Sequence, residues 1–173
     1  EYSKGNRYDD QARLVYELAI HYKKDDRDIL RAYGRASRAK QDTQSMIKQF
    51  EKLYQLGEKD SEVIFNLAQG YLSLKKMDDF SLTIYQQASV LNTEDKALIT
   101  HIADIYLSQN KIDDQSIEIY QKAYLLSPDN DSYLLAIAQL HLQKSEFAQA
   151  LSSANKVFEK TSGDSKCLFI IGR

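Results

Sequence analysis

Residues that commonly take part in catalysis or metal binding are few in this sequence and lie far apart along it. The three histidines are His21, His101 and His141, and none has a second ligand at metal-binding spacing on the same predicted helix. Asp104 stands three residues after His101 and could orient its imidazole, but a surface or groove histidine beside an acid is the simpler interpretation. The histidines therefore predict no metal site, and His141 is expected to pack as a ring.

The single cysteine and the acidic loops are no better candidates. Cys167 has no second cysteine and no neighbouring histidine in the sequence, so we expect a buried structural residue. The pair Asp129-x-Asp131 lacks the glycine and the closing glutamate of a calcium loop, which favours a helix start. Gly-rich phosphate loops and Gly-x-Ser-x-Gly turns are absent from the sequence. The sequence thus predicts no catalytic residue, no cofactor and no metal, and we expect the chain not to be an enzyme.

Four arginines form the one unusual cluster of charge. Arg27, Arg31, Arg35 and Arg38 follow one another at i+4, i+4 and i+3, which places them on one side of a helix. Like charges at this spacing disfavour an isolated helix by about 0.2 to 0.5 kcal/mol per pair, so something must offset them. One interpretation is a surface that recognises acidic side chains, a phosphate or a terminal carboxylate. The other is pairing within the chain, for which the candidates are Asp25, Asp26, Asp28, Glu58, Asp60 and Glu62.

The composition indicates an ordered helical chain. Of its 173 residues 43% are hydrophobic and 28% are charged, with one proline, six glycines and no tryptophan. The net charge of -2 predicts neither a nucleic-acid partner nor a membrane surface. The longest apolar run, residues 167–171, is far shorter than the roughly 20 residues that cross a bilayer, so no membrane insertion is expected.

Two short patterns recur along the chain at a spacing of 35 residues. An apolar-Ala-x-x-ring-Leu pattern occupies residues 67–72, 102–107 and 137–142. A second pattern, out of phase with the first, occupies residues 85–88 and 120–123. Each lies in a window with helical periodicity, so the sequence predicts two helices per repeat. Asp9-Asp10, Asp78-Asp79 and Asp113-Asp114 stand where the second helix begins and are expected to cap it.

These repeats resemble the tetratricopeptide repeat family, whose unit is a helix-turn-helix of 34 residues. The third full copy carries the family's signature residue types at Ile99, Ile102, Ala103, Tyr106, Ser116, Tyr120, Ala123 and Pro128. The copies are degenerate, since the chain has no tryptophan, and Met46 and Ala154 replace the usual small residue and ring. The resemblance implies an all-α fold, a right-handed α-solenoid of antiparallel helical hairpins. The predicted units are the end of a preceding repeat (1–24), four repeats (25–59, 60–94, 95–129 and 130–163) and the start of a further one (164–173).

The resemblance also predicts which residues pack and which face a partner. Small residues would let the two helices of a hairpin approach closely, and they stand at Ala12, Ser81, Ser116 and Ala150. Rings would fill the space between neighbouring hairpins, and they stand at Tyr16, Phe50, Tyr85 and Tyr120. The first helix of each repeat lines a groove in this family, and the residues at such positions here are Arg27, Arg31, Arg38, Glu62, Phe65, Gln69, Ser73, Thr100, Asp104, Ser108, Gln139 and Gln143. Of the positions at which some family members grip chaperone tails, only Asn66 agrees, which argues against such a clamp.

The function implied by the resemblance is a non-catalytic scaffold that binds a peptide or protein segment in this groove. The part of that segment that meets the arginines is expected to be acidic. One alternative is the regulatory or targeting region of a larger enzyme of the kinase, phosphatase or glycosyltransferase type. Another is a structural oligomer formed by end-to-end stacking of repeats. The first residue is Glu1 and both ends fall within predicted repeats, so we expect a piece of a longer protein. The sequence specifies no oligomeric state and no compartment, with a slight preference for the cytoplasm.

Overall fold

The computed structural model describes residues 10–92, 95–161 and Gly172, and this part of the chain consists of α-helices joined by short turns. In chain order the helices are α1 (Asp10–Tyr22), α2 (Arg27–Ala39), α3 (Thr43–Gln55), α4 (Ser61–Ser73), α5 (Asp79–Leu91), α6 (Lys96–Ser108), α7 (Asp114–Leu126), α8 (Asp131–Gln143) and α9 (Phe147–Thr161). The chain divides into two compact units, the first ending at Asn92, so that α1 to α5 belong to one and α6 to α9 to the other. The predicted all-α class is confirmed.

Most helices begin at an acidic residue whose carboxylate accepts hydrogen bonds from free backbone N–H groups. Asp78 accepts from the N–H of Ser81 at 2.8 Å, and Asp113 accepts from that of Ser116 at 2.8 Å. At Asp113 the cap is reciprocal, because the hydroxyl of Ser116 accepts from the N–H of Asp113. The predicted caps at Asp78 and Asp113 are therefore confirmed, whereas Asp9 lies outside the described residues.

The turn from the first to the second helix of each pair repeats one backbone conformation. A non-glycine residue with positive φ follows the first helix, at Gln41 (59°), Lys75 (50°), Asn110 (49°) and Ser145 (61°). The N–H of the next residue then donates to a carbonyl five residues earlier, as Lys76 does to Tyr71 at 3.0 Å. This is the geometry of a Schellman motif, which satisfies carbonyls at the helix end and reverses the chain.

In the first unit, each helix packs on the next one along the chain. The predicted rings Tyr16, Phe50 and Tyr85 are at most 3% exposed. Gly34 permits the close contact of α2 with α3, since a Cβ added there would lie 2.7 Å from the Phe50 ring. Gly70 similarly leaves room for Ile47 and for Met46, the residue at which the repeat departs from its usual small side chain.

The second unit has the same arrangement, with α6, α7, α8 and α9 packed in sequence and a further contact between α6 and α8. Tyr120 is 1% exposed, and its hydroxyl donates to the carbonyl of Lys111 in the preceding turn at 2.9 Å. Tyr85 makes the equivalent bond to Lys76 at 3.0 Å in the first unit. The second-helix tyrosine thus fixes its own turn, which explains how a large polar ring is tolerated in the core. The predicted boundaries between repeats stay predictions, because the helix ends do not determine at which turn residue one repeat stops and the next begins.

Candidate functional site

The side chains predicted from the sequence to meet a partner lie on the first helices of the hairpins. We call this surface the first-helix face, formed in the first unit by α2 and α4 and in the second unit by α6 and α8. In the first unit it carries the four arginines of α2 together with acids at the start of α4. Its electrostatics depend on which arginines those acids neutralise.

Three of the four arginines pair within the chain. Arg27 bonds to Glu58 at 3.2 Å and donates to the carbonyl of Leu56 at 3.0 Å. Arg31 contacts three carboxylates, which belong to Glu58 (3.3 Å), Asp60 (2.7 Å) and Glu62 (2.7 Å). Arg35 reaches Glu62 through two nitrogens, and the Nη2 to Oε2 distance is 2.7 Å. Internal pairing, one of the two interpretations left open by the sequence, therefore holds for Arg27, Arg31 and Arg35.

The pairing alters the ionisation of the acids. Hydrogen bonds from Arg35 lower the pKa of Glu62 despite the opposing effect of burial, and Arg31 contributes in the same direction. The pKa of Asp60 is likewise lowered, chiefly by its hydrogen bonds from Arg31. Both carboxylates are therefore ionised at neutral pH, and they offset the repulsion among the arginines.

Arg38 differs from the other three, because no carboxylate of the described residues lies within ion-pair distance of it. Its Nη1 donates to Oδ1 of Asn66 at 3.1 Å, and its guanidinium carbon lies 5.2 Å from the centre of the Phe65 ring. Arg38 is exposed and Phe65 is 44% exposed, whereas Asn66 is buried and donates to the carbonyl of Glu62 at 2.8 Å. The buried amide thus holds the guanidinium over the aromatic ring.

A cavity of about 430 Å³ adjoins Arg38 in the first unit. Phe65 and Asn66 form one wall with Arg38, and Ala88 and Leu91 of α5 supply apolar surface opposite. We call Arg38, Phe65 and Asn66 with this cavity the Arg38 notch. The lining also includes Ser61, Asn92 and Glu62, whose carboxylate is paired with Arg31 and Arg35. With that acid already paired, the notch offers one cation, one ring and apolar surface, a combination suited to an apolar side chain with a neighbouring carboxylate.

The first-helix face of the second unit is polar and largely neutral. The hydroxyl groups of its groove candidates donate to carbonyls of their own helix. Thr100 donates to the carbonyl of Lys96 at 2.8 Å, and Ser108 donates to that of Ile105 at 2.7 Å. Asp104 accepts a hydrogen bond from the hydroxyl of Tyr133 at 2.8 Å. Burial raises the pKa of Tyr133, and this bond raises it further, so the phenol stays protonated as the donor.

Two cavities open on this face. One, of about 580 Å³, is lined by Thr100, Asp104 and Tyr133, and the other, of about 240 Å³, is lined by Leu135 and Gln139. Four further groove candidates are exposed on their helices and line none of these cavities: Gln69, Ser73, Ser108 and Gln143. Arg27 and Arg31 line none of them either. Six of the twelve predicted groove residues therefore line the three cavities, one in the first unit and two in the second.

Two contributors to these surfaces are absent from the groove residues predicted from the sequence. Arg35 occupies the same helix position as Gln69, Asp104 and Gln139, and this phase could have placed it on the first-helix face. Tyr133 was not selected because its interaction with Asp104 joins residues 29 apart.

His141 has a partner that the sequence interpretation did not include. Its side chain is 17% exposed, and its Nδ1 lies 2.6 Å from Oε2 of Glu146. The equivalent pairs are Tyr71 with Lys76 and Tyr106 with Lys111, in which the ammonium lies over the ring at 4.5 and 4.4 Å. The fourth repeat therefore exchanges a cation–ring contact for a histidine–glutamate pair.

Metal-ligand clusters and membrane-spanning helices are absent from the part of the chain that the structure describes. Among residues 10–92 and 95–161, no group of three or more potential metal ligands is clustered. In the same part of the chain, no helix combines the length and the apolar character needed to span a bilayer. Cys167 lies outside the described residues.

Comparison with known proteins supports the fold. No family model matches the sequence, and neither does any curated protein. Solved structures do match: the chain has the tetratricopeptide-repeat fold, a solenoid of helical hairpins, as its sequence predicts.

Three of the similar structures illustrate the match. MamA AMB-1 is 20% identical, with 99% of this chain and 92% of that chain covered and a TM-score of 0.52. A mutant of MamA is 19% identical, with 91% and 90% covered and a TM-score of 0.51. YrrB, a TPR protein with an unusual peptide-binding site, is 15% identical, with 92% and 81% covered and a TM-score of 0.50. At these identities the likeness concerns the fold.

Proposed function

We propose that this chain is a non-catalytic interaction module whose first-helix face binds a peptide or protein segment. The observation that carries the proposal is the Arg38 notch, where an exposed guanidinium without a carboxylate partner among the described residues lies over a half-exposed ring. YrrB, which has the same fold, has a peptide-binding site, and this adds support at the level of the fold.

The notch favours a segment in which an apolar side chain neighbours a carboxylate. The carboxylate would pair with Arg38, and the apolar side chain would pack on Phe65 and enter the cavity towards Leu91. Arg27, Arg31 and Arg35 are poorer anion sites, because a ligand would have to displace the carboxylates of Glu58, Asp60 and Glu62. The acidic part of the partner is therefore expected at Arg38 rather than along the whole stripe.

The test is a binding measurement with two matched probes. One is a fluorescein-labelled Gly/Ser peptide carrying a single leucine flanked by two glutamates, and the other has glutamines in place of the glutamates. Fluorescence anisotropy should detect tighter binding of the glutamate peptide, and its affinity should fall with salt. Arg38→Gln should lower the affinity for that peptide about fivefold, which corresponds to the upper end of the energies of exposed ion pairs.

Arg27→Gln is the matched control, because it removes the same charge from an exposed arginine that pairs with Glu58. It should change the affinity by less than about twofold. Equal binding of the two peptides, or equal losses from the two variants, would contradict the proposal.

The two alternatives drawn from the sequence, a regulatory region of a larger enzyme and a stacked oligomer, stay predictions. Light scattering over a range of protein concentrations tests the second, since a strict monomer at every concentration excludes it.

A further inference from the structure

A second docking surface lies in the second unit, away from the first-helix face. It is a trough of about 640 Å³ bounded by α7 on one side and α9 on the other, with α8 as its floor. Tyr124 and Leu125 line the α7 side, Leu134 and Ile137 the floor, and Ser152 and Lys156 the α9 side. We call this surface the α7–α9 trough; its lining includes none of the predicted groove residues.

The lining of the trough has the size and pattern of a seat for a helix. Its α9 residues run from Ala148 to Lys156, which is about two helical turns or roughly 12 Å. The floor consists of Leu134 and Ile137 with His141, whose Nδ1 is engaged by Glu146, and Leu125 on the rim is 79% exposed. A groove with an apolar floor and polar edges is the surface on which amphipathic helices dock.

Charge identifies the partner's flank. Lys156 is exposed, and its ammonium has no ion pair or hydrogen bond to any residue within 10–92 and 95–161. No aspartate or glutamate lines the trough. The nearby carboxylates of Glu146 and Asp131 are engaged by His141 and Lys160 respectively. The lining of the trough therefore carries one available cation and no carboxylate, and the exposed Glu159, one turn further along α9, does not line it.

We propose that the α7–α9 trough docks an acidic amphipathic helix of a partner protein. Its apolar face packs over Leu125, Leu134 and Ile137, and a carboxylate on its flank pairs with Lys156. The trough shares no residue with the Arg38 notch, which lies in the first unit.

The experiment uses the whole chain and synthetic helices as probes. The first probe is a fluorescein-labelled 12-residue helix-forming peptide with leucines at i, i+3, i+4 and i+7 and glutamates on its flanks. The second is identical except for lysines in place of the glutamates. Anisotropy titrations extend to about 1 mM protein, where even weak docking is detected.

Three variants test the location. Lys156→Glu should lower the affinity for the acidic helix about fivefold and raise the affinity for the basic helix, since it reverses the charge at the rim. Ser152→Trp should block both by filling the trough from its exposed edge. Lys122→Glu is the matched control, because Lys122 is exposed on α7 but does not line the trough.

Binding of the acidic helix that Ser152→Trp abolishes and Lys156→Glu weakens about fivefold, and that Lys122→Glu leaves unchanged, supports the proposal. Absence of binding up to the highest concentration, or equal effects of Lys156→Glu and Lys122→Glu, overturns it. Loss of binding in Arg38→Gln alone would assign the acidic helix to the Arg38 notch and equally overturn the trough. Circular dichroism of each variant confirms that the helices are retained.

Discussion

Arg31 in α2 binds the carboxylate of Asp60, the residue that caps α4, through hydrogen bonds of 2.7 Å from Nη2 and 3.3 Å from Nη1. The same carboxylate accepts the backbone N–H groups of Glu62 and Val63 at 2.9 and 3.1 Å. One carboxylate thus begins a helix and joins it to the first helix of the preceding hairpin. The side chains of Arg31 and Asp60 are 20% and 45% exposed, so solvent screening limits the energy of the pair.

Asp60→Asn separates these two roles, because asparagine caps a helix about as well as aspartate but carries no charge. At neutral pH the substitution should lower the free energy of unfolding by about 1 kcal/mol, measured by urea denaturation. Asp95→Asn is the matched control: Asp95 caps α6 through the N–H of Leu98 at 3.1 Å and has no arginine partner among the described residues. An equal loss in both variants would assign the effect to capping.

The same pair predicts a dependence on pH. Arg31 holds the pKa of Asp60 below its ordinary value, so the unfolded chain takes up the proton at a higher pH than the folded one. The stabilisation is therefore complete above about pH 5 and is lost as the pH falls through the lowered pKa of the folded state. The difference in unfolding free energy between the native chain and Asp60→Asn should shrink towards zero in acid. A difference that persists unchanged to about pH 2 would contradict this assignment.

The helix caps could be predicted from neighbouring residues in the sequence, whereas the ion pairs between distant residues could not. Asp78 and Asp113 could be predicted because a cap needs only a short side chain and the next helical turn. The choice among acids for Arg31 could not be made, since it depends on how α3 returns the chain to the start of α4. The 35-residue period predicted the hairpins, but the internal neutralisation of three arginines followed only from packing.

Ser37 occupies the helix position that Tyr71, Tyr106 and His141 hold in the other repeats, and it is fully buried. Its hydroxyl has no hydrogen-bond partner among the described residues. Ser37→Ala should raise the free energy of unfolding by about 1 kcal/mol, because it removes an unsatisfied polar group. Ser116→Ala makes the same change at a buried serine whose hydroxyl bonds Asp113 twice, and it should lower that energy by about 1 kcal/mol. Urea denaturation of both variants tests the contrast, which two changes of equal sign would refute.

Lys75 turns the chain between α4 and α5 with a φ of 50°, a conformation that costs a residue with a Cβ more than it costs glycine. Its exposed side chain makes no hydrogen bond or ion pair with the described residues, so Lys75→Gly alters the backbone alone. We expect the free energy of unfolding, measured by thermal or urea denaturation, to rise by about 0.5 to 1 kcal/mol. Asn110→Gly at a φ of 49° should gain less, because asparagine enters this region more readily. A loss of stability in Lys75→Gly would mean that the turn needs the lysine side chain.

Gly34 is the point at which α2 and α3 approach most tightly around Phe50. An exposed Gly→Ala change in a helix normally stabilises it by about 1 kcal/mol. Here the added Cβ would lie 2.7 Å from Cε2 and 3.1 Å from Cδ2 of a ring that is fully buried, so either the ring or the helix must move. Because overpacking costs about 1 to 3 kcal/mol, Gly34→Ala should give a net loss of about 1 kcal/mol in urea denaturation. In a Phe50→Leu background, where the ring is gone, the same substitution should become neutral or favourable. A double-mutant cycle without coupling between the two positions would exclude their contact as the cause.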